Sequence, residues 1–301
     1  MSIKDRQVPD FIVVGAAKSG TTSLHKYLSQ HPNLYLPELK ESWFFCLHNN
    51  PNQSIRKLFP QFNFPSSWSE YQHLFSEADN DQITGEITPA YLHYHKLTIE
   101  NIQKYCRNWK DIRIIIILRE PIDKIISHFK YTCRSGLEKK AISLSEALEK
   151  REERIGKGDI IYDLLYIENT LYYHQVKAYK QAFPKCDIYL YDEFKKDPTS
   201  VLNKIVNSLN LSNIKWNTNL SFNKGTDSIP KNRIAKLILN NKNQYRRFAP
   251  KSFRKFMKRS LKQEIEIDNQ ALSKLRVIFK PEIEKLQKIL DHDLSAWLDK
   301  Y

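Results

Sequence analysis

The chain has 301 residues, of which 41% are hydrophobic and 12% aromatic, and its formal net charge is +14. That length can bury a full core, and that composition excludes a disordered or fibrous chain. The four cysteines (Cys46, Cys106, Cys133, Cys186) are dispersed and form no CxxC pair, which argues against a disulfide scaffold or a metal site and for a reducing compartment.

No window has the length and apolarity of a membrane span, and the first residues have no signal-like apolar run, so a cytoplasmic chain is expected. The first predicted strand, Phe11–Gly15, runs directly into Ala16-Ala17-Lys18-Ser19-Gly20-Thr21-Thr22 and a helix over Thr21–Gln30. A loop of this kind turns backbone N–H groups and a helix N-terminus toward an anion. The Walker pattern places its lysine after the second glycine. Here Lys18 precedes Gly20 and two threonines follow, an order that points to a phosphorylated donor other than ATP.

Short strands are expected near Leu34–Leu36 and Ile83–Glu86, then a strong one at Arg113–Leu118 and another at Ile188–Tyr191. The run Ile114-Ile115-Ile116-Ile117 suits a strand buried on both faces of a parallel sheet. Helices are expected at Lys96–Asn108, Pro121–Ser135, Leu144–Ile155, Tyr172–Ala182 and Thr199–Asn210, with loops at Asn49–Pro51, Pro65–Ser67 and Asn217–Pro230.

The alternation predicts an α/β, P-loop-like three-layer fold with a central, mostly parallel sheet, whose ligand sits beyond the carboxyl ends of the strands. After about Asn219 the strand signal fades, and basic helices are expected to follow. The reading is one domain over 1–301, with a core at about 10–230 and a basic helical extension at about 231–301. Between Lys224 and Lys262 the only acid is Asp227. Such a stretch suits an anionic partner, a membrane surface or a solvated face.

The second strong strand ends in Arg119-Glu120-Pro121, with Ser127 eight residues beyond Arg119 on the following helix. An arginine there can hold a phosphate bidentately and the serine can add a hydrogen bond. Phosphoryl-transfer enzymes of the P-loop type place a metal-binding aspartate near such a strand end. A cation in that position, with no cluster of metal-ligand type, argues for a site without metal.

Together these residues resemble sulfotransferases that use 3′-phosphoadenosine-5′-phosphosulfate (PAPS), in the glycan-type and bacterial branch. Lys18-Ser19-Gly20-Thr21-Thr22 is similar to that family's 5′-phosphosulfate loop, and Arg119 with Ser127 to its 3′-phosphate site. Lys40-Glu41-Ser42-Trp43-Phe44-Phe45 and Gly85-Glu86-Ile87-Thr88-Pro89-Ala90-Tyr91 resemble the branch's acidic-aromatic and E-K-[ST]-P-x-Y segments. Tyr189 to Phe194 and Asp197-Pro198 resemble its Y-E-D-L…D-P stretch. The resemblance spans roughly residues 10–230.

It implies PAPS as donor, the adenosine bisphosphate PAP as product, and no metal. It makes Glu41 the general base and Lys18 the group that neutralises the leaving oxygen, with Ser19, Gly20, Thr21 and Thr22 around the 5′-phosphate. Glu38, Glu86, His25 and His31 are the rival bases. Lys224 and Gly225, in Asn223-Lys224-Gly225-Thr226, resemble the loop that closes over the 3′-phosphate, with Lys231 and Arg233 as further cations and Tyr172 or Tyr173 near the nucleotide.

A carbohydrate or glycolipid acceptor, including an anionic one, is implied, with no nucleic acid as partner and peripheral membrane contact through the basic helices left open. One departure is Ile87, where the glycan branch has a lysine; it weakens the case for a heparan-like acceptor. Three other readings fit less. A P-loop kinase or NTPase requires a lysine after Gly20 and an acidic strand end. A basic nucleic-acid-binding module leaves the buried strands and anion loop without a purpose. An inactive nucleotide-binding scaffold conflicts with the retention of both Lys18 and Glu41.

Overall fold

The computed structural model describes residues 9–48, 63–138, 143–150, 153, 162–219, 228–230, 262–290 and 292–301. Its centre is a five-stranded parallel sheet: β1 (Phe11–Gly15), β2 (Leu34–Tyr35), β3 (Ile83–Ile87), β4 (Arg113–Leu118) and β5 (Cys186–Leu190), in the order β2-β3-β1-β4-β5. The isoleucine run of β4 is buried on both faces, as its pattern predicts. Ile114 and Ile116 enter one core, while Ile115 and Ile117 enter the other. Each such side chain contributes about 2 kcal/mol through burial. Where β1 and β3 pair, Gly85 lies opposite Phe11, and a Cβ there would fall 2.0 Å from the Phe11 ring.

One layer of helices covers the Phe11 and Val13 face: α1 (Thr21–Leu28) and, further along the chain, Pro198–Ser208, with Leu24, Leu28, Val201, Leu202 and Ile205 inside. The opposite layer includes α2 (Phe44–Leu47), α3 (Trp68–His73), α4 (His95–Tyr105), α5 (Pro121–Ser135), α6 (Leu144–Glu149) and α7 (Tyr172–Ala182). After β5 come α8 (Tyr191–Lys196) and α9, the Pro198–Ser208 helix already placed on the first face. Glu120 caps α5, its carboxylate accepting from the N–H groups of Ile122 (2.9 Å) and Asp123 (2.6 Å), and burial pushes its pKa up to about 7.

Beyond Asn219 the structure departs from the all-helical expectation. Ser228–Pro230 (β6) and Lys262–Glu264 (β7) pair as a two-stranded antiparallel ribbon. The strand expected at Ile188–Tyr191 also begins two residues earlier and ends before Tyr191, which opens α8. The basic segment 231–261 lies outside the described residues. α10 (Asn269–Ile289) packs its apolar face, Ala271, Leu275, Phe279, Ile283 and Leu286, into the same core as α5 and α7. α11 (Ser295–Leu298) follows, and the Tyr301 hydroxyl donates to Asp123 at 2.6 Å.

Candidate active site

The site lies at the carboxyl ends of β1 and β4. The loop between β1 and α1 owes its shape to two left-handed residues, Lys18 (φ 66°) and Gly20 (φ 83°). A Cβ on Gly20 would come 3.0 Å from the Tyr191 ring and 3.1 Å from that of Phe194, so glycine serves there for both conformation and space. Gly20 caps α1 without a side-chain hydrogen bond, which suits a helix start directed at an anion. The Ser19 N–H turns back to the Ala16 carbonyl (3.3 Å), and the serine's buried hydroxyl lies beside Tyr172.

Arg119 closes the loop from β4. One terminal nitrogen donates to the Lys18 carbonyl at 3.1 Å, and the guanidinium lies 4.9 Å from the centre of the Tyr191 ring. Buried polar atoms gather here: Arg119 Nε lacks a hydrogen-bond partner, and the Ser19 and Tyr172 hydroxyls lie beside each other. Tyr172 is fully buried beside the Ser19 side chain and the Arg119 backbone. Of the two adjacent tyrosines, Tyr172 therefore lies against the loop, while the backbone N–H of Tyr173 donates to Glu282 at 2.7 Å. An unpaired buried donor is costly, and one on an arginine beside a phosphate-type loop fits a polyanionic ligand.

The Lys18 ammonium sits 4.2 Å over the Tyr131 ring. Its pKa is lowered to about 8, first by burial and then by Arg134, against the opposing pull of Asp163 and Glu41. Glu41 therefore belongs to the electrostatic surroundings of Lys18. Its carboxylate pairs with Lys40 at 2.6 Å, and Lys40 also donates to the Thr22 hydroxyl at 3.1 Å, joining the acidic-aromatic segment to the loop. Glu41 (φ 65°) and Trp43 (φ 57°) are both left-handed, a conformation that costs a non-glycine residue about 1–2 kcal/mol.

Of the rival bases, His25 shares the electrostatic surroundings of Lys40 and Glu41. Glu86 is buried, and its carboxylate accepts from the hydroxyls of Ser42, Tyr71 (2.5 Å), Thr88 (2.8 Å) and Tyr91 (2.8 Å). His31 uses both ring nitrogens, accepting from the Asn33 N–H (3.2 Å) and bonding the Ser212 carbonyl (2.9 Å). His25 bonds the Pro37 carbonyl at 3.3 Å, and Glu38 is exposed. Ile87 is buried in the core and pairs with Val13, so a lysine at that position would have to be accommodated inside the sheet.

Thr21 is buried at the start of α1, and Ser127 is partly buried on α5. Lys224, Gly225, Lys231 and Arg233 lie outside the described residues. Among those that are described, no group of three or more metal-ligand side chains could hold a metal ion.

Sequence reasoning overlooked one wall of this site. On α5, Lys124, His128 and Tyr131 share a face at helical spacing. Lys124 is fully buried and donates to the Asn169 carbonyl (2.8 Å) and the Thr170 hydroxyl (2.9 Å); burial lowers its pKa to about 7. His128 bonds Asp163 at 3.0 Å, and burial lowers its pKa. Lys124 and His128, a polar pair four residues apart among the apolar positions of an amphipathic helix, with Tyr131 beyond them, were the available signal; Asp163 offered none.

A parallel α/β sheet with a basic anion cradle at its strand ends and an acidic loop beside it defines a nucleotide-dependent transferase class of site. The family model described as "Sulfotransferase family" matches residues 9–216, and the chain belongs to that family. A crystal structure of a sulfotransferase from Alicyclobacillus acidocaldarius superposes with a TM-score of 0.71 at 25% identity, covering 96% of this chain and 98% of the other.

Among curated proteins, the chain is 28% identical over 126 residues to the membrane-associated sulfotransferase kil1 of Dictyostelium discoideum, covering 42% of this chain and 23% of kil1. It is 24% identical over 220 residues to heparan sulfate glucosamine 3-O-sulfotransferase 3B1 of Mus musculus, covering 72% of this chain and 50% of that protein. The chain thus spans a quarter to a half of these relatives' length. No described helix is long and apolar enough to cross a membrane.

Proposed function

We propose that this protein transfers the sulfuryl group of PAPS to a hydroxyl or amine of an acceptor, with a carbohydrate or glycolipid as the favoured acceptor class. The observation that carries this reading is the junction of Lys18 and Arg119. A phosphate-type loop and a strand-end arginine are bonded to each other, and the arginine keeps a buried, unpaired Nε donor beside the loop. The carbohydrate preference is supported by the likeness to a protein named for heparan sulfate, and Ile87 speaks against the same acceptor.

When bound, PAPS supplies an activated sulfuryl group. Ser19, Gly20, Thr21 and Thr22 hold its 5′-phosphate against the start of α1, while Arg119 and Ser127 take the 3′-phosphate, with Lys224 and Gly225 as further candidates. Glu41 accepts the proton of the attacking acceptor as its oxygen or nitrogen bonds to sulfur and the sulfur–oxygen bond to the phosphate breaks. Lys18 balances the negative charge left on that phosphate oxygen. No step calls for a metal, since Lys18, Arg119 and the loop supply the positive charge. A single domain and a cytoplasmic setting complete the reading; four free cysteines are consistent with the latter.

The test is thermal shift with labelled transfer. PAP should raise Tm by several degrees more than ATP with magnesium, and equal shifts would remove the reading. Labelled PAPS offered with a panel of glycans, glycolipids and phenols should label a glycan. Glu41→Gln should lower turnover by about 10²–10⁴-fold while PAP still binds; full turnover would place the base elsewhere.

A further inference from the structure

Glu86 is the best-satisfied buried carboxylate near the site, and neither donor binding nor proton transfer uses it. Its four hydroxyl partners come from separate segments: Ser42 from the loop before α2, Tyr71 from α3, and Thr88 and Tyr91 from the turn after β3. Glu86 itself is fixed in the sheet, where it pairs with Ile12 of β1. Of these bonds, the one to Ser42 reaches the residue next to Glu41.

Ser42 is fully buried, lies between two left-handed residues, Glu41 and Trp43, and also accepts the N–H of Phe44 at 3.2 Å. On its far side the chain is held again, since the Phe45 N–H donates to the Tyr91 hydroxyl (3.3 Å) and Asn101 donates to the Phe45 carbonyl (2.8 Å). A non-glycine backbone stays left-handed only where its surroundings over-determine it. The fixed points here are the Ser42–Glu86 bond before α2 and the Tyr91 and Asn101 contacts within it.

We propose that Glu86 is a positioning residue for Glu41: acting through Ser42, it holds the backbone on which the Glu41 carboxylate is aimed at the Lys18 side of the site. The proposal rests on reading Glu41 as the base. Glu86 touches no reacting atom. It fixes the chain at Ser42, so that the Glu41 carboxylate stays near Lys18 and within reach of Lys40.

The experiment compares Ser42→Ala and Glu86→Gln with the wild type, using labelled PAPS with the glycan best labelled by the wild type, or with water as acceptor. Turnover is expressed per PAP-binding site titrated by calorimetry, so that loss of folded protein does not count as loss of rate. Both variants should lower kcat at least tenfold with the KM for PAPS unchanged, and a crystal of Ser42→Ala with PAP should show Glu41 out of the left-handed region. Where Glu86→Gln does not fold, Ser42→Ala decides alone.

A kcat per site within twofold of wild type, or Glu41 still left-handed in the Ser42→Ala crystal, overturns the proposal. Glu41→Gln, run alongside, separates the two failures. Full turnover in Glu41→Gln removes the base reading, whereas its loss with turnover kept in Ser42→Ala removes only the positioning role.

Discussion

The phosphate loop and the Glu41 segment meet around Lys18, yet they are held in opposite ways. The loop at residues 15–22 is mostly backbone: a strand end, two left-handed residues and an uncapped helix start, with hydrogen bonds from Arg119 to the Lys18 carbonyl and from Lys40 to the Thr22 hydroxyl. The segment at residues 40–45 is held by side chains, with Glu86, Tyr91 and Asn101 fixing it from different elements and Lys40 tying it to Thr22. A backbone cradle suits a ligand whose phosphates are the same in every reaction. A side-chain scaffold lets a base be aimed, and re-aimed by substitution, without disturbing the donor site.

That division can be broken by experiment. The largest effect on donor binding should come from Arg119→Ala, which removes a charge-assisted contact. Affinity for PAP should drop roughly tenfold to hundredfold, and that for an adenosine 5′-phosphate lacking the 3′-phosphate far less. Equal losses, measured by calorimetry, would detach Arg119 from the 3′-phosphate.

The next effect is on pH dependence. With its pKa lowered to about 8, Lys18 loses its proton above that pH, so PAP binding must take one up and affinity should fall by up to about tenfold per unit. The stability of the free protein should run the other way. Between about 8 and 10.5 the unfolded chain binds the proton more tightly than the folded one, so this group's contribution to stability rises with pH. Lys18→Arg should flatten both trends, and a slope that survives would assign it to another group.

The smallest effect should come from Tyr191→Leu, which removes the ring against the Arg119 guanidinium and should weaken PAP by about two- to fivefold. A change in kcat beyond that in affinity would show that the two constructions are not separable.

The same division explains what could be read from the sequence. β1, β4 and the loop between β1 and α1 were legible because their signals are local: continuous apolar runs and a fixed order of lysine, glycine and threonine. Pro121 and Ser135 bound α5 as the pattern predicts. β6 and β7 were not legible, because a three-residue strand ending in proline and another made of Lys262, Gln263 and Glu264 have no apolar pattern and exist through pairing with each other. β5 extends back to Cys186 because Cys186 and Asp187 pair with Ile114 and Ile115, a contact no local pattern records.

The bonds from Ser42 and Tyr71 to Glu86 and from His128 to Asp163 were hidden for the same reason: each joins residues distant in sequence. Tyr191 was obscured differently, since it reads as the end of a strand when it is the start of α8, turned toward Gly20 and Arg119.

The bond from Arg119 to the Lys18 carbonyl has a further meaning. It ties the end of the second strong strand to the loop after the first, and so couples the two phosphate sites proposed above. On that proposal the pair would act as a gauge of length, in which a donor fits when the distance between its two phosphates matches the span that the arginine sets. Nucleotides of the right charge and the wrong reach would be turned away before any chemistry begins.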